Sequence, residues 1–488
     1  MDYDSLLRLL KVSEKQIRES VESDNIEQSI RWMIVRSNLL YEQSVYYFDG
    51  LIENCLNKVF HKPKHVCLSD TDSQVKTDRV VLFDAVSKDR RGLSNQYVDA
   101  LIANGIEFLY ISENTNLKRT EIFQHIEQYD KASWCIVPSS KKNTDKVLFI
   151  YNSIIEYAPT KVLCHILPWS IPALVALATL PKNFIKININ ITDHTFWSGV
   201  SIMDYNIEFR NYGKMVSIQK RGLSDVQEYV LPYYPYIDNV EFRGFEGVDA
   251  RDKVIIFWGG ALYKIYDEDD TFLKLIAKVL NTHPNCICLC AGGGDANHLL
   301  SFIKSEGLEH VWHYIGFRKD IYQVVCHSDI IVNTYPIGGG LMCQYAAFDS
   351  KPVISYAKTK AIEEVLSTSA KVTCLDEDDF LNRIDMFISD KSFRETFGKG
   401  LKDSLPTPSK FNAFFKKIVD KCTSSFSDSY IIGSSLPEVK EKRKDYLCES
   451  TLVKNIGLKS LFYYPRILLW VFKKNFFGGD QLRKLFKK

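Results

Sequence analysis

No stretch of this 488-residue chain reaches the ~18–20 consecutive apolar residues that a membrane-crossing helix needs. The opening MDYDSLLRLL is neither basic nor a long apolar run, so no secretory leader is expected there. Glycine and proline are sparse, at 24 and 15 residues, which excludes a collagenous or low-complexity chain. Excess charge of one sign is missing as well. The 62 Lys and Arg face 60 Asp and Glu, a net of +2, so bulk electrostatics makes no case for nucleic acid. The 12 cysteines are scattered and include no CxxC pair. Cys286, Cys288 and Cys290 alternate within CICLCA, which predicts a buried strand, since no nearby His completes a metal tetrahedron. Reduced thiols in turn point to the cytosol.

What is present is length, enough for two or three domains. Residues 1–68 read as a helical segment; Ile26–Phe60 has apolar residues at mixed three and four spacing and no proline, with Gly50 as a break. From residue 75 to 235, short apolar runs alternate with helical patterns: RVVLFDA, IEFLYIS, ASWCIVP, KVLFIY, KVLCHIL and FIKININI read as strands. PYYPYIDNVEFRGFEGVDARD (232–252) reads as a linker. A second alternation occupies 250–395, with strands at KVIIFWGG, CICLCAGGG, VWHYIG, DIIVNTYP and KPVISY. Residues 396–450 are expected to hold helices and a linker, and 451–488 a basic amphipathic tail. Strands alternating with helices predict an α/β protein with two Rossmann-like halves. Ligands are expected at the carboxyl ends of the strands, in a cleft between the halves.

Five constellations carry candidate chemistry. Phe257-Trp258-Gly259-Gly260 ends a strand, and Lys264 follows four residues later. Glycines let a backbone approach a phosphate and lysine supplies a point charge, although the same residues also make a plain strand-to-helix turn. The P-loop pattern GxxxxGK[ST] is absent. Ile315-Gly316-Phe317-Arg318 can wrap a base or ribose, or form an ordinary turn before Asp320. Pro336-Ile337-Gly338-Gly339-Gly340-Leu341 follows a strand and opens a helix, where free N–H groups and the helix dipole favour an anion. In the first half, Asp193-His194 follows an apolar strand and leads into Trp197. An imidazole that titrates near neutral pH suits removal of a proton from an attacking hydroxyl. Arg91-Gly92, just after the first strand, can border an acceptor or start a helix. His165 ends another strand.

Together these motifs resemble a GT-B glycosyltransferase over about residues 75–395. IGFRKDIYQVVCHSDIIVNTYPIGGG is particularly similar to the donor domain of bacterial glycosyltransferases related to O-GlcNAc transferase. The resemblance implies that Gly338–Gly340 and the following helix hold a nucleotide diphosphate. It implies that Lys264 neutralises that diphosphate and that His194 lies near the reacting centre. The late turn departs from many retaining members, which carry two glutamates; Ile337 and Tyr345 stand at the approximate positions, which favours inversion. Asp349 is the candidate for gripping the donor ribose.

The expected activity is transfer of a sugar from a nucleotide-diphosphate donor, UDP-sugar favoured, to a hydroxyl of a glycan, lipid-linked or protein acceptor. No cofactor is expected beyond the donor. YDEDDT (266–271) reads as a helix start rather than a metal motif, so metal independence is expected. A sugar-nucleotide epimerase and a non-catalytic glycosyltransferase-like subunit are the alternatives. Residues 452–488 carry nine Lys or Arg against one Asp. Their mixture of cations with apolar and aromatic residues suits an anionic membrane surface.

Overall fold

In the computed structural model the chain divides into two compact units. The first comprises Met1–Leu231 and Asn412–Lys488, and the second comprises Pro232–Phe411. The structure describes residues 3–43, 47–59, 79–89, 93–140, 142–237, 240–357, 363–366, 371–426 and Asn455. Arg91, Gly92 and the tail 451–488, apart from Asn455, therefore lie outside the described residues.

The first unit is built on seven parallel strands. They are β1 (Arg79–Asp84), β2 (Glu107–Ser112), β3 (Ala132–Ile136), β4 (Lys161–His165), β5 (Ile185–Ile189), β6 (Tyr205–Glu208) and β7 (Glu228–Val230), in the spatial order β3-β2-β1-β4-β5-β6-β7. A parallel sheet is covered on both faces, so its strands read as continuous apolar runs; five of the six residues of β1 are buried. Asp84, Ser112 and His165 end three neighbouring strands in register. The order reverses between β1 and β4, where an open α/β sheet places its ligand site.

Helices Tyr3–Glu22 and Ile26–Gln43 put Leu9, Ile17, Ile30 and Met33 into the same core as Val81 and Phe83 of β1. The N-terminal segment is thus part of the first unit's core. Its helical spacing is interrupted before Gly50, at the break expected there. A short helix starts at Gly50, capped by the Asp49 carboxylate accepting from the Ile52 N–H at 3.1 Å. KVLFIY is not a strand. It lies inside helix Asn143–Tyr157, where Val147, Ile150, Tyr151 and Ile154 bury one face at helical spacing. After helix Pro408–Lys421 the chain is pinned to the first sheet: the Asp204 carboxylate accepts from the Phe426 N–H at 2.8 Å and the Ser425 hydroxyl at 2.7 Å.

The second unit holds six parallel strands: β8 (Val254–Gly259), β9 (Cys286–Ala291), β10 (Trp312–Tyr314), β11 (Ile330–Val332), β12 (Val353–Tyr356) and β13 (Thr373–Cys374). Their order is β10-β9-β8-β11-β12-β13, with the reversal between β8 and β11. All six residues of β9 are buried, its three cysteines included, and the ten described cysteines are free thiols. The segment before β8 folds onto this unit through Phe242, Phe245 and Val248. Among the described residues no helix is long and apolar enough to cross a membrane.

Candidate functional site

In the second unit, the turns after β8, β9, β10 and β11 meet at one edge of the sheet. The carbonyl of Lys264 accepts from the Ile337 N–H at 3.2 Å, which ties the turn after β8 to the glycine turn after β11. The Leu262 N–H donates to the Gly293 carbonyl at 2.9 Å, and the Gly292 N–H to the Gly316 carbonyl at 3.0 Å. Gly292 is sterically required: a Cβ there would stand 1.7 Å from the Gly260 carbonyl oxygen. A second triple glycine, 292–294, thereby joins the site, though the sequence shows it only as the end of a strand. The same signal, three glycines after a buried run, marks both turns.

Helix Gly340–Phe348 begins at the late turn. The Asn333 side-chain carbonyl accepts from the Gly339 N–H at 2.8 Å and shapes the approach to it. The Lys264 charge reaches Cys343 in the first turn of that helix, where it opposes the burial that pushes the thiol up to about 12. The turn that carries Lys264 and the turn that opens the helix are thus bonded side by side, an arrangement suited to phosphate. Gly259 packs under this helix, a Cβ there lying 3.2 Å from Met342 Cε. Phe317 is 63% exposed, and its ring lies 3.9 Å from where a Gly293 Cβ would stand. It offers a face for a planar group.

Arg318 is committed elsewhere. Its guanidinium donates to the Asp320 carboxylate at 2.7 Å and the Gly244 carbonyl at 2.9 Å, and so fastens the incoming segment. Asp349 follows the C-terminal end of helix Gly340–Phe348, about 13 Å from its start at 1.5 Å per residue. It pairs with Lys351 at 3.7 Å, so it does not meet the glycine turn. Tyr345 donates from its hydroxyl to the Tyr236 carbonyl at 3.4 Å.

In the first unit, Asp193 and His194 follow β5 and do touch. His194 Nδ1 lies 2.9 Å from Asp193 Oδ1, and Arg210 holds the other carboxylate oxygen. Burial pushes Asp193 up, but the hydrogen bond from His194 and the Arg210 charge win and hold it below the usual carboxylate range. The His194 side chain is 42% exposed while Asp193 is fully buried. That leaves the imidazole oriented, with Nε2 as its second nitrogen. Trp197, expected beside an acceptor, is instead 3% exposed. It packs with Val200 and Leu223, beneath the Arg221 guanidinium at 5.4 Å. An apolar ring over a buried cation is held in the core.

A second acid–imidazole pair sits at the β1/β4 reversal. His165 Nδ1 lies 3.0 Å from Asp84 Oδ1. Asp84 also accepts from the Val86 and Ser87 N–H groups, each at 2.8 Å, and from Tyr110 Oη at 2.7 Å. Burial opposes its ionisation, yet the His165 charge and these donors keep Asp84 below its ordinary value. His165 Nε2 is buried with no hydrogen-bond partner among the described residues.

Two Rossmann-like units, each with its functional turns at the carboxyl edge of a parallel sheet, give this chain the GT-B glycosyltransferase fold. Solved structures with that fold bear this out. A Thermobaculum terrenum O-GlcNAc transferase variant is similar over 84% of this chain and 82% of its own, with TM-score 0.57 and 13% identity. Staphylococcus aureus TarM, solved with fondaparinux, α-GlcNAc-glycerol and UDP, is similar over 71% of this chain and 100% of its own, with TM-score 0.52 and 9% identity. Anabaena HepE, solved with UDP and glucose, is similar over 70% and 99%, with TM-score 0.50 and 12% identity. No protein-family model and no curated protein sequence matches the chain.

Proposed function

We propose that this protein transfers a sugar from a UDP-sugar to a hydroxyl acceptor in cell-surface polysaccharide or glycolipid synthesis. The observation that carries the reading is the meeting of Lys264, the paired glycine turns and the start of helix Gly340–Phe348. Such a site binds a diphosphate and stabilises it as a leaving group. TarM and HepE were solved with UDP, which supports UDP as the nucleotide. His194 Nε2 takes the acceptor hydroxyl proton as the acceptor oxygen bonds to the anomeric carbon. The bond to the diphosphate breaks with its electron pair, in a single inverting displacement. Lys264 and the helix N-terminus meet the charge that a metal would otherwise meet, so the reaction is read as metal-independent. Gly259, Gly260, Gly316, Phe317, Pro336, Gly338, Gly339, Gly340 and Leu341 shape the donor site.

A second reading gives the base role to His165, because its buried Nε2 lacks a partner. His194 is preferred: its side chain is 42% exposed, against 1% for His165. A mass-spectrometric screen of nucleotide sugars, with lipid-linked and peptide acceptors, tests the function. Lys264→Ala is expected to lower turnover roughly 10²–10³-fold. His194→Ala is expected to abolish transfer and spare UDP binding. Turnover without an acceptor would make the protein an epimerase or hydrolase. Binding of no nucleotide sugar would make it a non-catalytic subunit.

A cytoplasmic enzyme with a lipid-linked acceptor works at the inner face of the membrane. The basic segment 452–488 is proposed as its peripheral contact, each cation near an anionic leaflet contributing about 1 kcal/mol. Flotation with anionic liposomes is expected to carry the full chain and to leave behind a chain ending at Ser450. If both stay in the soluble fraction at low salt, the membrane reading falls, and with it the support for a lipid-linked acceptor.

A further inference from the structure

The loop that carries His194 runs from Thr192 to Ser201, and two buried side chains, a guanidinium and a carboxyl group, hold its two ends. Arg221 ends helix Asn211–Arg221 and its side chain is fully buried. Its Nη2 donates to the carbonyls of Thr192 at 3.1 Å, Asp193 at 3.0 Å and Thr195 at 2.6 Å. The residues on both sides of His194 are thus tied through their backbones to one guanidinium. Nη1 donates to Ser217 Oγ at 2.9 Å, and the rings of Tyr47 and Trp197 each lie 5.4 Å from the guanidinium carbon. Glu208 supplies a countercharge at 4.0 Å.

At the far end the polarity is reversed. Glu53, from the N-terminal segment, is fully buried. Its carboxylate accepts from the Gly199 N–H at 2.8 Å, the Ser201 N–H at 3.0 Å and the Ser201 hydroxyl at 2.6 Å. The Trp197 N–H donates to the Tyr47 carbonyl at 3.3 Å, and Ser37 Oγ lies 3.1 Å from Ser198 Oγ. Carbonyls turned toward a cation and amides turned toward a carboxylate leave the loop few other conformations. A flexible loop would let the His194 ring leave Asp193 Oδ1 and lose the orientation that proton transfer needs.

We propose that Arg221 and Glu53 are positioning residues that hold His194 in one ring orientation and one tautomer. This rests on His194 acting as the base, and it gives the N-terminal helical segment a part in forming the site. Both groups lie far from His194 in sequence, and neither needs to touch substrate. They act through the backbone of the loop.

The test is NMR of the full chain with ¹⁵N-labelled histidine, the His194 signal being assigned by its loss in His194→Ala. Wild-type protein is expected to show one dominant neutral tautomer, with the proton on Nδ1. Arg221→Lys, Arg221→Met and Glu53→Gln are expected to lower the tautomer ratio about five- to tenfold, the effect of weakening the His194–Asp193 hydrogen bond by the worth of one ordinary hydrogen bond. Their affinity for UDP should stay within about twofold, because its proposed site lies in the other unit. Folded variants that keep the wild-type His194 signal overturn the proposal. So do variants that all lose the fold of the first unit, since both groups would then serve folding alone. If His194→Ala remains fully active, the base assignment falls, while the ring signal still decides whether Arg221 and Glu53 orient it.

Discussion

Glu208 and Glu228 end and begin adjacent buried strands, and Asn206 donates to both carboxylates at 2.8–3.1 Å. Burial, with Glu208 adding to it, pushes Glu228 up to about 9. An ordinary glutamate in the unfolded chain has a pKa near ~4.3. Between these values the folded state holds a proton that the unfolded state has lost, so this group's contribution to stability falls as pH rises from about 4 to 9. Glu228→Gln removes that dependence. The variant is expected to match wild type near pH 5 and to exceed it by ~1–3 kcal/mol near pH 8, read as the Tm difference across that range. Asp193 and Asp84 act with the opposite sign. Their folded values lie below the ordinary one, so their stabilisation is present above it and is lost as pH falls through the depressed folded values.

The strands that were legible in the sequence are those whose side chains are apolar on both faces, such as RVVLFD and CICLCA. β6 and β7 were not, because YNIE and EYV bury Asn206, Glu208 and Glu228. Side-chain hydrogen bonding takes the place of apolar contact there, and a hydropathy pattern does not register it. KVLFIY misled for the converse reason: a continuous apolar run is the same string in a buried strand and on a broad helix face. Among the candidate site residues, Lys264 and the late glycine turn are legible as candidates because their chemistry is local. Arg221 and Glu53 were not, since their partners are backbone groups in distant segments. Gly292 belongs to the same scale. With a Cβ 1.7 Å from the Gly260 oxygen, Gly292→Ala must displace the turn after β8 that carries Lys264. UDP affinity is expected to fall at least ~10-fold, with a loss of ~1–3 kcal/mol in stability. Calorimetric titration with UDP and thermal unfolding measure the two effects.

For the molecule as a whole, the N-terminal helices decide how the first unit must be handled. Leu9, Ile17, Ile30 and Met33 are buried in one core with β1 and β4, and Glu53 is buried against the His194 loop. Each fully buried aliphatic side chain contributes roughly 1.5–3 kcal/mol, so those four alone approach the whole stability of an ordinary domain. Deletion of residues 1–59 is expected to abolish cooperative unfolding of the first unit. Far-UV circular dichroism through a thermal ramp checks this, and a deletion variant with a normal first transition would show that the helices are an appendage.

The chain leaves the first unit after Leu231 and returns to it at Asn412. Everything that builds the proposed donor site, from Gly259 to Leu341, lies on that one excursion. The sequence is therefore organised as a frame with a cassette inserted into it. Recombination that exchanges one uninterrupted stretch, 232–411, would replace donor choice in a single event and leave the His194 loop and its supports untouched. The His194 loop and its supports, spread from Glu53 to Arg221, have no such shortcut and must change position by position.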